Sequence, residues 1–199
     1  MAKDATGLPD VDKDWDVPYQ PADFLDLDRA SIPLTGKTPA PALVEFVHQL
    51  ITAEGPIHEE VLLLHAREVL HLKSYTSPRK KLVLAAVEQL VEDGRVAVDG
   101  EFFDLPGRPC RYARRPFPGL AKRTVERVAP AERRTALAGL IHDEPGRPYG
   151  EVVADAVRFF GWTPGTPGAK SALASDLYRL RDQGRIAGWP DSLVVQAPS

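Results

Sequence analysis

The side chains most able to do chemistry are basic and clustered. Arg79, Lys80 and Lys81 stand together just after Ser77-Pro78, and Arg111, Arg114 and Arg115 lie within a longer basic stretch. Guanidinium and ammonium groups at such spacing suit phosphate oxygens, the contacts that dominate nucleic-acid affinity. Other chemistries find less support. Gly36-Lys37-Thr38 has Ser31 where a phosphate loop needs glycine and has no preceding strand, so it reads as linker. The histidines at 48, 58, 65, 71 and 142 form no known metal-ligand spacing. No nucleophile–base pattern or carboxylate pair stands out. The chain is therefore expected to be no enzyme and to need no cofactor or metal.

Charge along the chain is segmented. Across all 199 residues the formal charge is only −3, so nucleic-acid binding must come from how charge is distributed. Residues 1–30 carry eight Asp against Lys3, Lys13 and Arg29, with Pro9, Pro18 and Pro21 interrupting any helix. That composition predicts an acidic, largely disordered arm over 1–39. Residues 105–134 reverse the sign, with nine Arg or Lys against Glu126 and Glu132, and predict a basic connector over 107–128. The single Cys110 excludes an internal disulfide and fits a reducing compartment. No long apolar run occurs and the start is acidic, which predicts a cytoplasmic protein without membrane contact.

The elements that must position these groups recur. At an offset of 90 residues Val69-Leu70-His71-Leu72 corresponds to Phe159-Phe160-Gly161-Trp162, Val87 and Leu90 to Leu177 and Leu180, and Gly94-Arg95-Val96 to Gly184-Arg185-Ile186. Each copy reads as three helices and a hairpin. In the first, Pro41 opens a helix that ends at Glu54-Gly55-Pro56. A second helix runs from about His58 to Leu70. Ser77 as N-cap with Pro78 behind it opens a third, closed by Gly94. Asp99-Gly100 then turns a hairpin over about 95–105. The second copy follows over Pro130 to Ile141, Tyr149 to Phe160, Gly168 to Gln183 and a hairpin from Arg185 to Val195. The expected fold is mainly α with small β-hairpins, two winged helix-turn-helix modules in tandem over 40–106 and 129–196. Their cores should include Val47, Leu50, Val87, Leu90, Leu177 and Leu180.

On this fold the third helix of each copy would face a ligand. With Val87 inward, Lys81, Leu82, Ala85, Gln89 and Glu92 should point outward in the first copy, and Leu82 would suit a protein surface. In the second, the outward set should be Ser171, Ala172, Ser175, Arg179 and Asp182, with Lys170 beside them. Arg95 and Arg185 begin the two hairpins. Neither helix displays a clear base-reading set.

Glu54-Gly55-Pro56-Ile57-His58, Gly100-Glu101-Phe102, the Arg108 to Arg115 link and Phe160-Gly161-Trp162 together carry a family likeness. From about Leu43 to Leu193 the chain resembles a domain found at the C-terminal end of large bacterial proteins that join a superfamily I helicase core to a Vsr-like nuclease. It implies no catalytic residue. It does imply an accessory module in DNA processing or defence, so the expected partners are DNA and a helicase, nuclease or other protein. A scaffold that holds proteins through both modules is the alternative.

Overall fold

The computed structural model describes residues 14–20, 22, 24, 27–116 and 123–196. In chain order these form β1 (Asp16–Pro18), α1 (Pro41–Glu54), β2 (Ile57–His58), α2 (Glu59–Val69), α3 (Ser77–Glu92), β3 (Ala97–Asp99), β4 (Phe102–Asp104), β5 (Ala113–Arg115), α4 (Pro130–Asp143), α5 (Tyr149–Phe159), α6 (Ala169–Asp182), β6 (Ile186–Ala187) and β7 (Val194–Val195). Six α-helices and small sheets make a mixed helical and β fold. The chain divides into a first module, Pro21–Arg108, and a second that joins residues 1–20 to 109–199.

In the first module the apolar positions of α1 and α3 face each other. Leu43, Val47, Leu50, Ile51, Leu62, Val83, Val87 and Leu90 form one buried cluster, closed by Val96 and Phe103. Pro41 stands in the first turn of α1, where its missing N–H costs no helical bond. Thr76 rather than Ser77 is the N-cap of α3, so the helix starts one residue earlier than a Ser77 cap requires. β3 and β4 form the expected hairpin, and β2 adds to it antiparallel, Ile57 opposite Phe103, giving the order β2-β4-β3. Two residues of strand are too short to show a period in the sequence.

The second module repeats this order. α4, α5 and α6 enclose Leu137, Ile141, Val152, Ala156, Leu173, Leu177 and Leu180. β6 and β7 pair antiparallel, and a bridge between Arg147 and Leu193 stands where β2 meets β4 in the first module. Helix ends match bond for bond. After α3, Gly94 at φ +67° donates to Val91 and Arg95 donates to Leu90. After α6, Gly184 at φ +67° donates to Arg181 and Arg185 donates to Leu180. Both are Schellman closures, in which a left-handed residue lets two amides reach back to otherwise unpaired carbonyls. α2 and α5 end the same way, with Gly161 in the second module but His71, at φ +51°, in the first.

The acidic arm and the basic connector are corrected at the residues described. Trp15 and Tyr19 are buried, and β1 pairs in parallel with β5, Asp16 opposite Ala113. The Trp15 indole packs on Gly139, where a Cβ would fall inside its rings, stands 5.1 Å from the Phe159 ring and donates to Asp143 at 3.0 Å. Ile32 is buried in the first core, with Ala22, Phe24, Leu27 and Leu34 packed against that core. Aspartate count alone does not describe this segment, because its aromatic residues have apolar surface to bury, while Asp14 and Asp28 stay exposed. Residues 1–13, 21, 23, 25 and 26 of the arm and 117–122 of the connector lie outside the described residues.

Candidate nucleic-acid interface

Burial and pairing sort the basic residues into two groups. Arg114 is buried, and its Nη2 donates to Glu132 Oε2 at 2.7 Å. Arg123 Nη2 donates to Glu132 Oε1, also at 2.7 Å. Both guanidinium groups also stand over the Tyr19 ring, at 5.4 and 4.8 Å. Full burial would raise the Glu132 pKa, but the charges of Arg114 and then Arg123 override it and hold the carboxyl well below its ordinary range. Burial likewise opposes the charge of Arg114, and Glu132 more than restores it. This cluster joins β1, β5 and α4.

Arg114 is thus a correction, a structural ion and not a phosphate contact. Arg185 is buried as well, which removes it from the expected interface. Arg115 Nε pairs with Asp16 at 2.5 Å, and Arg95 Nη2 pairs with Glu45 at 2.9 Å. Arg111 stays exposed. Three cations of the basic connector, Arg114, Arg115 and Arg123, are therefore matched by carboxylates outside it, Asp16 of the arm and Glu132 of α4.

The second group stays at the surface. Lys80 is exposed in the first turn of α3 and Lys81 just past it, and Arg79, half-buried beside them, donates to the Ser74 carbonyl at 2.9 Å. Lys80 Nζ stands 6.0 Å over the Tyr75 ring. Tyr75 itself is half-buried, and that burial pushes its hydroxyl up to about 12. On α6, Lys170 and Ser171 are exposed in the first turn and Arg179 two turns on. The first turn of a helix also offers unpaired amides and the positive end of the dipole, so cations placed there reinforce attraction for an anion.

Leu82 is a correction too. It is only 6% exposed and packs in the first core with Val83 and Ala86. Ranking residues around Val87 alone put the apolar sector of α3 too far to one side. The outward stripe is Lys81, Glu88, Gln89 and Glu92, with Ala85 half-buried among them. On α6 the expected Ser171, Ser175, Arg179 and Asp182 are exposed and Ala172 is half-buried.

Residues near the second hairpin escaped the sequence reading. Tyr178 is 45% exposed, its ring 5.0 Å from that of Trp189. The Arg181 guanidinium lies over both rings, at 5.0 and 5.5 Å, and Arg181 Nη2 pairs with Asp182 at 2.7 Å. Tyr149 meets Trp189 edge to face at 4.9 Å. The available signal was Tyr178 itself, which shares a helical face with Lys170 and Ala174 at spacings of four.

No protein-family profile, curated protein or solved structure matches this chain. Among the described residues no cluster of three metal-ligating side chains forms, and no helix is long and apolar enough to cross a membrane.

Proposed function

We propose that this protein is a non-catalytic accessory that binds DNA through two winged helix-turn-helix modules, mainly by phosphate contacts and with weak sequence selectivity. The observation that carries the reading is positional. Surface cations stand in or just past the first turn of the third helix in both repeats, Arg79, Lys80 and Lys81 in one and Lys170 in the other. A third helix backed by two others and flanked by a hairpin is the arrangement that presents such a turn to a duplex groove. Sequence selectivity is weak because Lys81 is followed outward by Glu88 and Glu92, whose carboxylates repel the phosphates that flank any base edge.

The resemblance to a helicase- and nuclease-associated domain supports a bacterial defence or DNA-processing setting in the cytoplasm, beside such a partner. The alternative, a protein-holding scaffold, loses its anchor with the burial of Leu82. Fluorescence anisotropy with a labelled duplex of about 20 base pairs tests the reading. Binding at low salt that weakens steeply as salt rises is expected, and no binding at any salt contradicts it.

A further inference from the structure

We infer that the second module carries a stacking platform for an unpaired nucleobase, centred on Tyr178, so that the ligand of this protein is DNA with a single-stranded portion. The inference rests on the nucleic-acid reading above and names the strand state that reading leaves open. Tyr178 is one of three large apolar or aromatic side chains exposed among the described residues, with Val98 and Tyr112. Its ring does not float. Trp189 supports it from the hairpin and Tyr149 supports Trp189.

Trp189 is held in turn by its own loop. The Tyr149 N–H donates to the Pro190 carbonyl at 2.8 Å, and Ser192 N–H to the Gly188 carbonyl at 2.8 Å. Gly188 is at φ +75°, and a Cβ there would overlap the Ser192 carbonyl, so only glycine closes this turn. A ring fixed before binding loses little freedom when a base lands on it.

The surroundings favour a nucleic acid over a protein. Along α6 the face that carries Tyr178 also carries Lys170 and Ala174, and eight residues of helix place Lys170 about 12 Å away. A few nucleotides span that distance, with phosphate at the ammonium and a base at the ring. Arg181 adds a cation at the ring itself. A protein anchor of this kind would sit within a contiguous apolar patch. Here the neighbours on α6 are Ser171, Ser175, Arg179, Arg181 and Asp182.

The first module carries no ring at the matching positions. At the 90-residue offset Tyr178 corresponds to Glu88, Arg181 to Val91 and Trp189 to Asp99. Acidic side chains in place of rings repel the strand that the second module would hold.

The test uses the whole chain and two probes, an oligothymidylate of about 15 nucleotides and a duplex of the same length, by anisotropy at one low salt concentration. Tyr178→Ala is expected to weaken single-strand binding by about tenfold and leave duplex binding unchanged, while Tyr178→Phe keeps single-strand affinity. Circular dichroism of both variants should match the parent. Equal losses on both probes, or no loss on either, would overturn the platform while leaving the DNA reading intact. A parent protein that binds neither probe overturns both. Intact single-strand affinity in Tyr178→Ala, together with release of a protein that co-purifies with the parent, would assign the surface to a protein partner and overturn it as well.

Discussion

The two modules reach the same order of helices and hairpin by different means. The first is built from one continuous stretch, Pro21–Arg108, and its third helix turns acidic after one basic turn. The second needs residues from before the first, because β1 and Trp15 complete its core, and its third helix ends in a tyrosine against a tryptophan-bearing hairpin. Equal topology therefore hides unequal dependence on the rest of the chain. The buried carboxylates show the same divergence. In the first module Glu54 accepts from Ala22 N–H at 3.0 Å and lies 2.6 Å from His65 Nδ1. In the second, Glu132 is held between two permanent cations.

The sharpest way to break this comparison is to remove what only the second module depends on. Glu132→Ala leaves the buried Arg114 and the half-buried Arg123 without their counter-charge, and should destabilise the second module by about 3–5 kcal/mol, read as a separate early transition in denaturant. Trp15→Ala should cost about 3–4 kcal/mol in the same module, since the void next to Gly139 has no substitute. Amide exchange should localise both losses to residues 109–196 and leave α1 to α3 protected. Loss spread evenly over both modules would show that the division is wrong.

Acid should separate the modules next. The folded Glu132 pKa lies below the ordinary 4.5, because Arg114 and Arg123 override its burial. Its stabilisation is thus complete above about pH 4.5 and fades as pH falls further. Asp176 works the other way. Burial raises its pKa above the ordinary range, with Arg133 and Arg134 only partly offsetting, so its protonation as pH falls relieves a small part of the loss. The thermal midpoint of the second module should fall between about pH 4.5 and 2. Glu132→Gln should flatten that fall from a lower starting midpoint.

The smallest effect is expected at the matched left-handed caps. His71→Gly gives the first module the residue that the second has at Gly161. Relief of about 1–2 kcal/mol in the left-handed region is offset by about 0.4–1 from the freer unfolded chain. A net gain of about 0.5–1 kcal/mol in the first module alone is expected by chemical denaturation, and a loss would mean that the imidazole makes a stabilising contact.

Local pattern made most of the fold legible and long-range pairing did not. The 90-residue echo, the helical stripes and the closing glycines placed all six helices within about two residues, and the six core positions named from spacing are all buried. β2 was too short to register. β1 and β5 pair across 97 residues, so neither could reveal itself alone. Arg114 looked like a ligand-facing charge because nothing local announces that Glu132 lies behind it. Leu82 looked outward because one reference residue sets a helical face less well than the whole buried set. The surface lysines of α3 and α6 needed no distant partner, and so their exposure was readable from sequence.

The central claim, that surface cations in and just past the first turn of the third helix grip phosphate, is tested most directly by the salt dependence of duplex affinity. Each phosphate neutralised releases condensed counterion, with a slope of about 0.9 in log affinity against log salt. Replacing Arg79, Lys80 and Lys81 together with Ala should flatten that slope by about two to three, with thermal stability close to that of the parent. An unchanged slope, or a parent protein with no affinity for duplex at low salt, would contradict it.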